Sequence, residues 1–129
     1  MPSKNSRAPR LVWLWRAAVG MYVGAMYAGT HLPVVVVRGV APSNDKALHF
    51  GAYCGLGLLL GLQLSRPLRT ALLTLLVVAA WAAFDELSQP LVGRSAELLD
   101  GLCDVAGAAT GMATIIVARL LRTNPDRAI

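Results

Sequence analysis

The chain is poor in acid and in charge generally. Seven Asp and Glu stand against twelve Lys and Arg in 129 residues, and charged residues of both signs reach only 15%. A soluble domain usually carries about 25% charged and 45–50% apolar residues. Here the apolar share is 56% and the mean hydropathy +0.57. That shortage excludes an ordinary soluble globule and predicts a single-domain polytopic membrane protein. Cysteine is also scarce. Cys54 and Cys103 both lie inside apolar runs, with no second Cys at metal-ligand spacing, and read as small buried side chains. Both fall near the same membrane face, which leaves a disulfide between them open. Nucleophile motifs, phosphate-cradling glycine loops and Cys/His clusters are missing too. The net charge of +5 does not indicate nucleic acid, because the basic residues are scattered singly around apolar spans and form no patch with interleaved aromatics.

What the chain does have is long apolar runs with punctuation between them. Residues 1–10 are polar and predict a disordered leader, residues 11–122 a four-helix transmembrane bundle, all-α in class, and residues 123–129 a polar tail. The first run, Leu11 to about Leu32, is twice the length of a signal-peptide core, carries Arg16 and has no small-x-small cleavage site after it, so it is read as helix 1. Trp13, Trp15, Tyr22 and Tyr27 are placed at its two interface zones, with Arg16 reaching back to the near one. Residues 31–44 are the least readable, because the run Val34 to Val40 between Pro33 and Pro42 is too short to span as a helix. Helix 2 is expected from Asp45 to Leu64 behind an N-cap at Ser43 or Asn44, with Asp45 at the positive end of the helix dipole. After a turn at Ser65–Arg69, helix 3 is expected from Leu68 to Gln89, stopped by Pro90. Leu91–Leu99 reads as a loop, and helix 4 starts near Asp100, or as early as Ser95, and runs to Leu121. Gly20/Gly24 and Gly107/Gly111 form small-xxx-small faces suited to close contact, within the chain or in an oligomer.

Charge asymmetry orients these spans. Lys4, Arg7, Arg10, Arg16, Arg66, Arg69, Arg119, Arg122 and Arg127 fall on the side of the termini, against Arg38, Lys46 and Arg94 on the other, so both termini are expected in the cytoplasm. The acids divide the opposite way. Only Asp126 is cytoplasmic, while Asp45, Asp85, Glu86, Glu97, Asp100 and Asp104 gather at the outer end.

Helical spacing decides which of these act together. Asp45, His49 and Tyr53 follow at i, i+4 on helix 2, Asp85 and Gln89 share a face of helix 3, and Asp100 and Asp104 share a face of helix 4. Charges facing lipid would stay uncompensated, so the three stripes are expected to face one another. The residues assigned to ligand binding are Asp45, Lys46, Tyr53, Glu86, Gln89, Arg94 and Asp104. Lys46 and Arg94 are assigned to an anionic group and the carboxylates to a cation or amine. His49, Asp85 and Asp100 are the candidates for catalysis, with His49 as general base and Asp85 or Asp100 orienting it. The same three are the candidates for holding a divalent cation, although the set lacks a dedicated two-histidine zinc spacing.

Asp45-Lys46-x-x-His49-Phe50-x-x-Tyr53, then Asp85-Glu86-x-x-Gln89, then Gly93-Arg94 and Asp100, ahead of a glycine-bearing last helix, resembles the VanZ-like family of small bacterial membrane proteins. The likeness covers about Asn44 to Gly111. It departs at Asp104, where the family usually has Asn. The resemblance implies a bacterial cell-envelope protein, and the family's namesake is associated with low-level teicoplanin resistance. Together these readings give an inner-membrane protein whose outward-facing polar site binds or handles a lipid headgroup or lipid-linked envelope precursor. The alternatives are a membrane-embedded hydrolase or transferase using His49, and a structural or partner-binding subunit whose polar network only fixes the bundle.

Overall fold

The computed structural model describes residues 7–32, 45–63 and 67–123. The leader before Arg7, the valine run with Arg38, the N-cap at Ser43 or Asn44, the turn around Arg66 and the tail after Thr123 lie outside the described residues. Four α-helices account for nearly all that is described: α1 Arg7–Thr30, α2 Asp45–Gly61, α3 Pro67–Ser88 and α4 Leu98–Thr123. Among the described residues there is no strand. Helix α1 begins at Arg7, ahead of the expected Leu11, because nothing in Arg7–Arg10 stops a helix except Pro9, which the first turn tolerates.

The ends follow local chemistry. Asp45 stands in the first turn of α2, Pro67 opens α3 where its missing N–H costs nothing, and α4 carries Asp100 in its first turn and Arg122 in its last, matching the helix dipole at both ends. Pro90 ends α3 as expected, but the chain then winds through a 3-10 helix, Gln89–Val92, rather than an open loop. Gly93 closes this turn at φ 77°, a left-handed conformation that a side chain would strain. Its N–H and that of Arg94 bond back to the carbonyls of Pro90 and Gln89 at 3.2 Å each, which reverses the chain toward α4.

Helices α2 and α4 form the most extensive contact, with α3 against α4 and α1 against α2. Glycine sets the closeness of the central pair. A Cβ at Gly107 would collide with the Phe50 carbonyl, one at Gly111 with the Cys54 carbonyl, and one at Gly57 with the Ala108 carbonyl. The second small-xxx-small face is therefore used within the chain, whereas a Cβ at Gly20 or Gly24 would meet nothing within 4 Å. Tyr53, Leu56, Val78, Ala82 and Ala108 form the apolar core, and Val19, Tyr22, Met26 and Trp81 pack around it. Tyr22 and Tyr27, read as boundary residues, also make contacts within the bundle. Tyr22 donates to the Ala52 carbonyl at 2.8 Å, and the Tyr27 ring stacks on His31 with centroids 3.9 Å apart. Cys54 and Cys103 are free thiols.

The exterior is apolar. Leu14, Met21, Leu76, Val77 and Leu87 are exposed, while His49, Asp85, Glu86, Gln89, Asp100 and Asp104 are buried. Helices α3 and α4 are long and apolar enough to cross a membrane, and only 28% of each such window is buried inside the fold. A core helix of a soluble protein would bury most of its window, so the inversion suits a hydrocarbon surround.

The glycine contact makes a prediction. Gly107→Ala puts a methyl against a backbone carbonyl that cannot move alone, and is expected to cost about 1–3 kcal/mol. Gly24→Ala, with open space, is expected to be neutral or slightly stabilising. Denaturant unfolding of the two variants in detergent micelles measures the difference, and equal midpoints would contradict the packing described.

Candidate functional site

Three polar clusters occupy the end of the bundle where α1 finishes, α2 and α4 begin and α3 gives way to the 3-10 turn. The innermost joins α2, α3 and α4. His49 Nδ1 lies 2.9 Å from Asp104 Oδ1 and 3.9 Å from Glu86 Oε1. With Asp104 ionised, Nδ1–H is the donor of the shorter contact, which fixes the imidazole orientation. Gln89 follows Glu86 by three residues and donates from Nε2 to Glu86 Oε1 at 2.9 Å. The other Glu86 oxygen accepts the Glu97 backbone N–H at 2.9 Å, satisfying a donor just ahead of α4. Tyr53, one turn below His49 on the same face of α2, is buried with its hydroxyl unpartnered.

The second cluster forms the rim. Arg94 Nη2 donates to Asp45 Oδ2 at 2.8 Å, and Lys46 Nζ donates to Glu97 Oε2 at 2.8 Å and Asp100 Oδ1 at 3.1 Å. Lys46 and Arg94, expected to hold an anionic group, are thus each already on carboxylates. His49 Nε2 faces this rim, 3.9 Å from Asp45 Oδ1, which is beyond a hydrogen bond. The hydrogen bond from Lys46 holds the Glu97 carboxyl below its ordinary range.

The third cluster centres on Asp85 and was missed from sequence. Thr30 Oγ1 donates to Asp85 Oδ1 at 2.9 Å, and His31 Nδ1 lies 3.6 Å from the same oxygen. His31 Nε2 is 2.9 Å from Ser88 Oγ, whose hydroxyl donates to the Asp85 carbonyl at 2.8 Å. Thr30 is the last residue of α1 and His31 opens the stretch, residues 31–44, that is least readable from sequence. The available signal was topological: a helix starting at the basic end must deliver its last turn to the acidic end.

These contacts rearrange the expected roles. The carboxylate on His49 is Asp104, not Asp85 or Asp100. Asp85 belongs with Thr30 and His31, and Asp100 with Lys46. Two sets bring metal-ligating atoms within 4.8 Å of one another, Asp45–His49–Asp100 and His49–Glu86–Asp104, and neither is the expected His49–Asp85–Asp100. The Asp85–Gln89 stripe of α3 divides the same way, Gln89 turning to Glu86.

Four buried polar atoms here have no hydrogen-bond partner among the described residues: Asp85 Oδ2, Asp104 Oδ2, Gln89 Oε1 and the Tyr53 hydroxyl. Buried polar groups are normally satisfied, and a cluster of exceptions is the pattern of a site that receives a ligand, water or ion.

The rim predicts a pH dependence with a definite sign. A carboxyl held below its ordinary value contributes stability above pH of about 4.5 and loses it as pH falls through the lowered folded value. Glu97→Gln is therefore expected to melt below the wild type at neutral pH, with the two converging in acid. Thermal unfolding in detergent from pH 3 to 7 reads this, and a gap that widened in acid would reverse the assignment.

Comparison with known proteins places this geometry. No curated protein and no solved structure matches the chain. A family model described as VanZ/LLP1 matches residues 11–121, a span that holds every residue of the three clusters. The chain belongs to the VanZ/LLP1 family.

Proposed function

We propose that this chain is a four-span bacterial inner-membrane protein whose acid-rich outer end binds a headgroup-bearing component of the cell envelope through that ligand's cationic group. The observation that carries the reading is the charge imbalance of a largely buried site. Among the described residues, six carboxylates, Asp45, Asp85, Glu86, Glu97, Asp100 and Asp104, share two permanent cations, Lys46 and Arg94, an excess of four that Arg38, outside those residues, would cut to three at most. His31 and His49 can neutralise two of these at most. Unpaired charge in a low-dielectric setting is costly, and an amine or metal cation delivered by a ligand relieves it. The unpartnered oxygens of Asp85 and Asp104 are the acceptors such a group needs. Headgroups lie at the depth of this end if α3 and α4 span the bilayer, and with α1 and α2 also crossing, both termini fall on the basic, cytoplasmic side.

One observation favours a second reading, a hydrolase or transferase. His49 is oriented by Asp104 at 2.9 Å and leaves Nε2 toward the rim, as a general base would.

Native mass spectrometry of the detergent-purified protein, titrated with phosphatidylethanolamine or with amine-free phosphatidylglycerol, tests the proposal. The amine lipid is expected to bind more tightly, and Asp85→Asn with Asp104→Asn to weaken it by at least about tenfold. Equal binding of both lipids, or no effect of the double variant at unchanged helicity, refutes the cationic-ligand reading. His49→Gln separates the two readings: binding survives in a binding protein, while turnover of any identified substrate is lost in an enzyme. Reporter fusions at both termini test the four spans, and a reporter that is active only outside the cytoplasm should be silent at each.

A further inference from the structure

The innermost cluster has a more specific character than an acid-rich surface. His49 Nδ1, Glu86 Oε1 and Asp104 Oδ1 come from three different helices, all three residues are buried, and their ligand atoms lie within 4.8 Å of one another. Nδ1 stands 2.9 Å from the Asp104 oxygen and 3.9 Å from the Glu86 oxygen. Ligand atoms around a tetrahedral ion with bonds near 2.1 Å sit about 3.4 Å apart, between those two values. Two further atoms point to an occupant. Asp104 Oδ2 and Gln89 Oε1 have no partner, and both residues are 0% exposed. The Gln89 oxygen belongs to the amide whose Nε2 is 2.9 Å from Glu86 Oε1, so it borders the same cluster.

Charge favours an ion at this place over the other donor set. Asp45 and Asp100 are already held by Arg94 and Lys46, whereas Glu86 and Asp104 have no Lys or Arg ion-pair partner among the described residues. Two carboxylates and a neutral imidazole carry two negative charges, which one divalent ion cancels. We propose that His49, Glu86 and Asp104 bind a divalent transition-metal ion of the Mn²⁺ to Zn²⁺ series, with Gln89 beside it. An imidazole donor selects against Mg²⁺ and Ca²⁺, which favour all-oxygen sites. The inference rests on the reading of this end as a cation-binding site, and it makes the ion the fixed part of that site. Coordination through Nδ1 requires the ring proton to sit on Nε2, which faces the rim 3.9 Å from Asp45 Oδ1, so the imidazole stays neutral and the Nδ1 contact to Asp104 gives way to the ion.

The test uses the full chain purified in detergent, stripped with EDTA and dialysed against ZnCl₂, MnCl₂, MgCl₂ or CaCl₂ separately, with bound metal measured by mass spectrometry. One Zn²⁺ or Mn²⁺ per chain is expected, with a raised melting temperature, and neither Mg²⁺ nor Ca²⁺ retained. His49→Gln and Glu86→Gln should each weaken binding by about 100-fold or more, judged on whichever variant keeps wild-type helicity. Thr114→Val, far along α4 from the donor set, should retain the ion. No stoichiometric Zn²⁺ or Mn²⁺, equal retention of Mg²⁺, or an ion that persists in both donor variants overturns the proposal. The lipid titration repeated in EDTA keeps the two ideas apart. Lipid binding without metal binding would sink the metal site alone, and metal binding without lipid preference would sink the headgroup reading alone.

Discussion

The contact between α2 and α4 is the constraint on which the polar end depends. Gly57, Gly107 and Gly111 let backbone meet backbone, and no side chain spaces the two helices there. In hydrocarbon, helices gain nothing from excluding water, so close van der Waals packing of small residues is the available driving force. The same contact sets the reach of the side chains one turn away. His49 and Asp104 stand next to the Phe50–Gly107 approach, and a pair 2.9 Å apart across two helices needs axes this close. Packing and site are therefore one feature of the fold.

Helices α1 and α3 complete what that pair begins. Helix α1 leans on α2 through the Tyr22 hydroxyl on the Ala52 carbonyl, and its last turn meets α3 through Tyr27, Thr30 and His31. Glu86 performs the equivalent task between α3 and α4. One of its oxygens holds Gln89 at the end of α3, and the other takes the Glu97 N–H at the approach to α4, so a single carboxylate fixes both ends of the connection around Gly93.

Much of this was legible in the sequence because it follows from period and punctuation. Pro67, Pro90, Asp45 and the apolar runs located the four helices, and the i, i+4 stripes named polar residues that the fold gathers at one end of the bundle. The partners were less legible. Spacing fixes a face of one helix but not which residue of another helix stands opposite, so Asp104, which reads as an added charge, turned out to be the carboxylate on His49. Helix α1 shows the same limit. Its polar residues Thr30 and His31 have no stripe of their own, and only the path of the helix across the bundle brings them to Asp85. The Gly107 and Gly111 face was visible, but whether it met another chain or this one depended on the crossing of α2 and α4.

The depth of each carboxylate orders its counter-charge. Glu97 and Asp45, with side chains 50% and 40% exposed, are paired with Lys46 and Arg94. Asp100, 3% exposed, still reaches Lys46 from below. Among the described residues Asp104, at 0%, is met by His49, and Asp85 by Thr30 and His31. Long Lys and Arg side chains hold their charge near water, and a full desolvated charge deeper in the bundle would be expensive. Histidine is the cation that can be placed lower, because it can also be neutral. Among the described residues the deepest acids thus face an imidazole, whose charge is exchangeable, where the rim acids face a permanent cation.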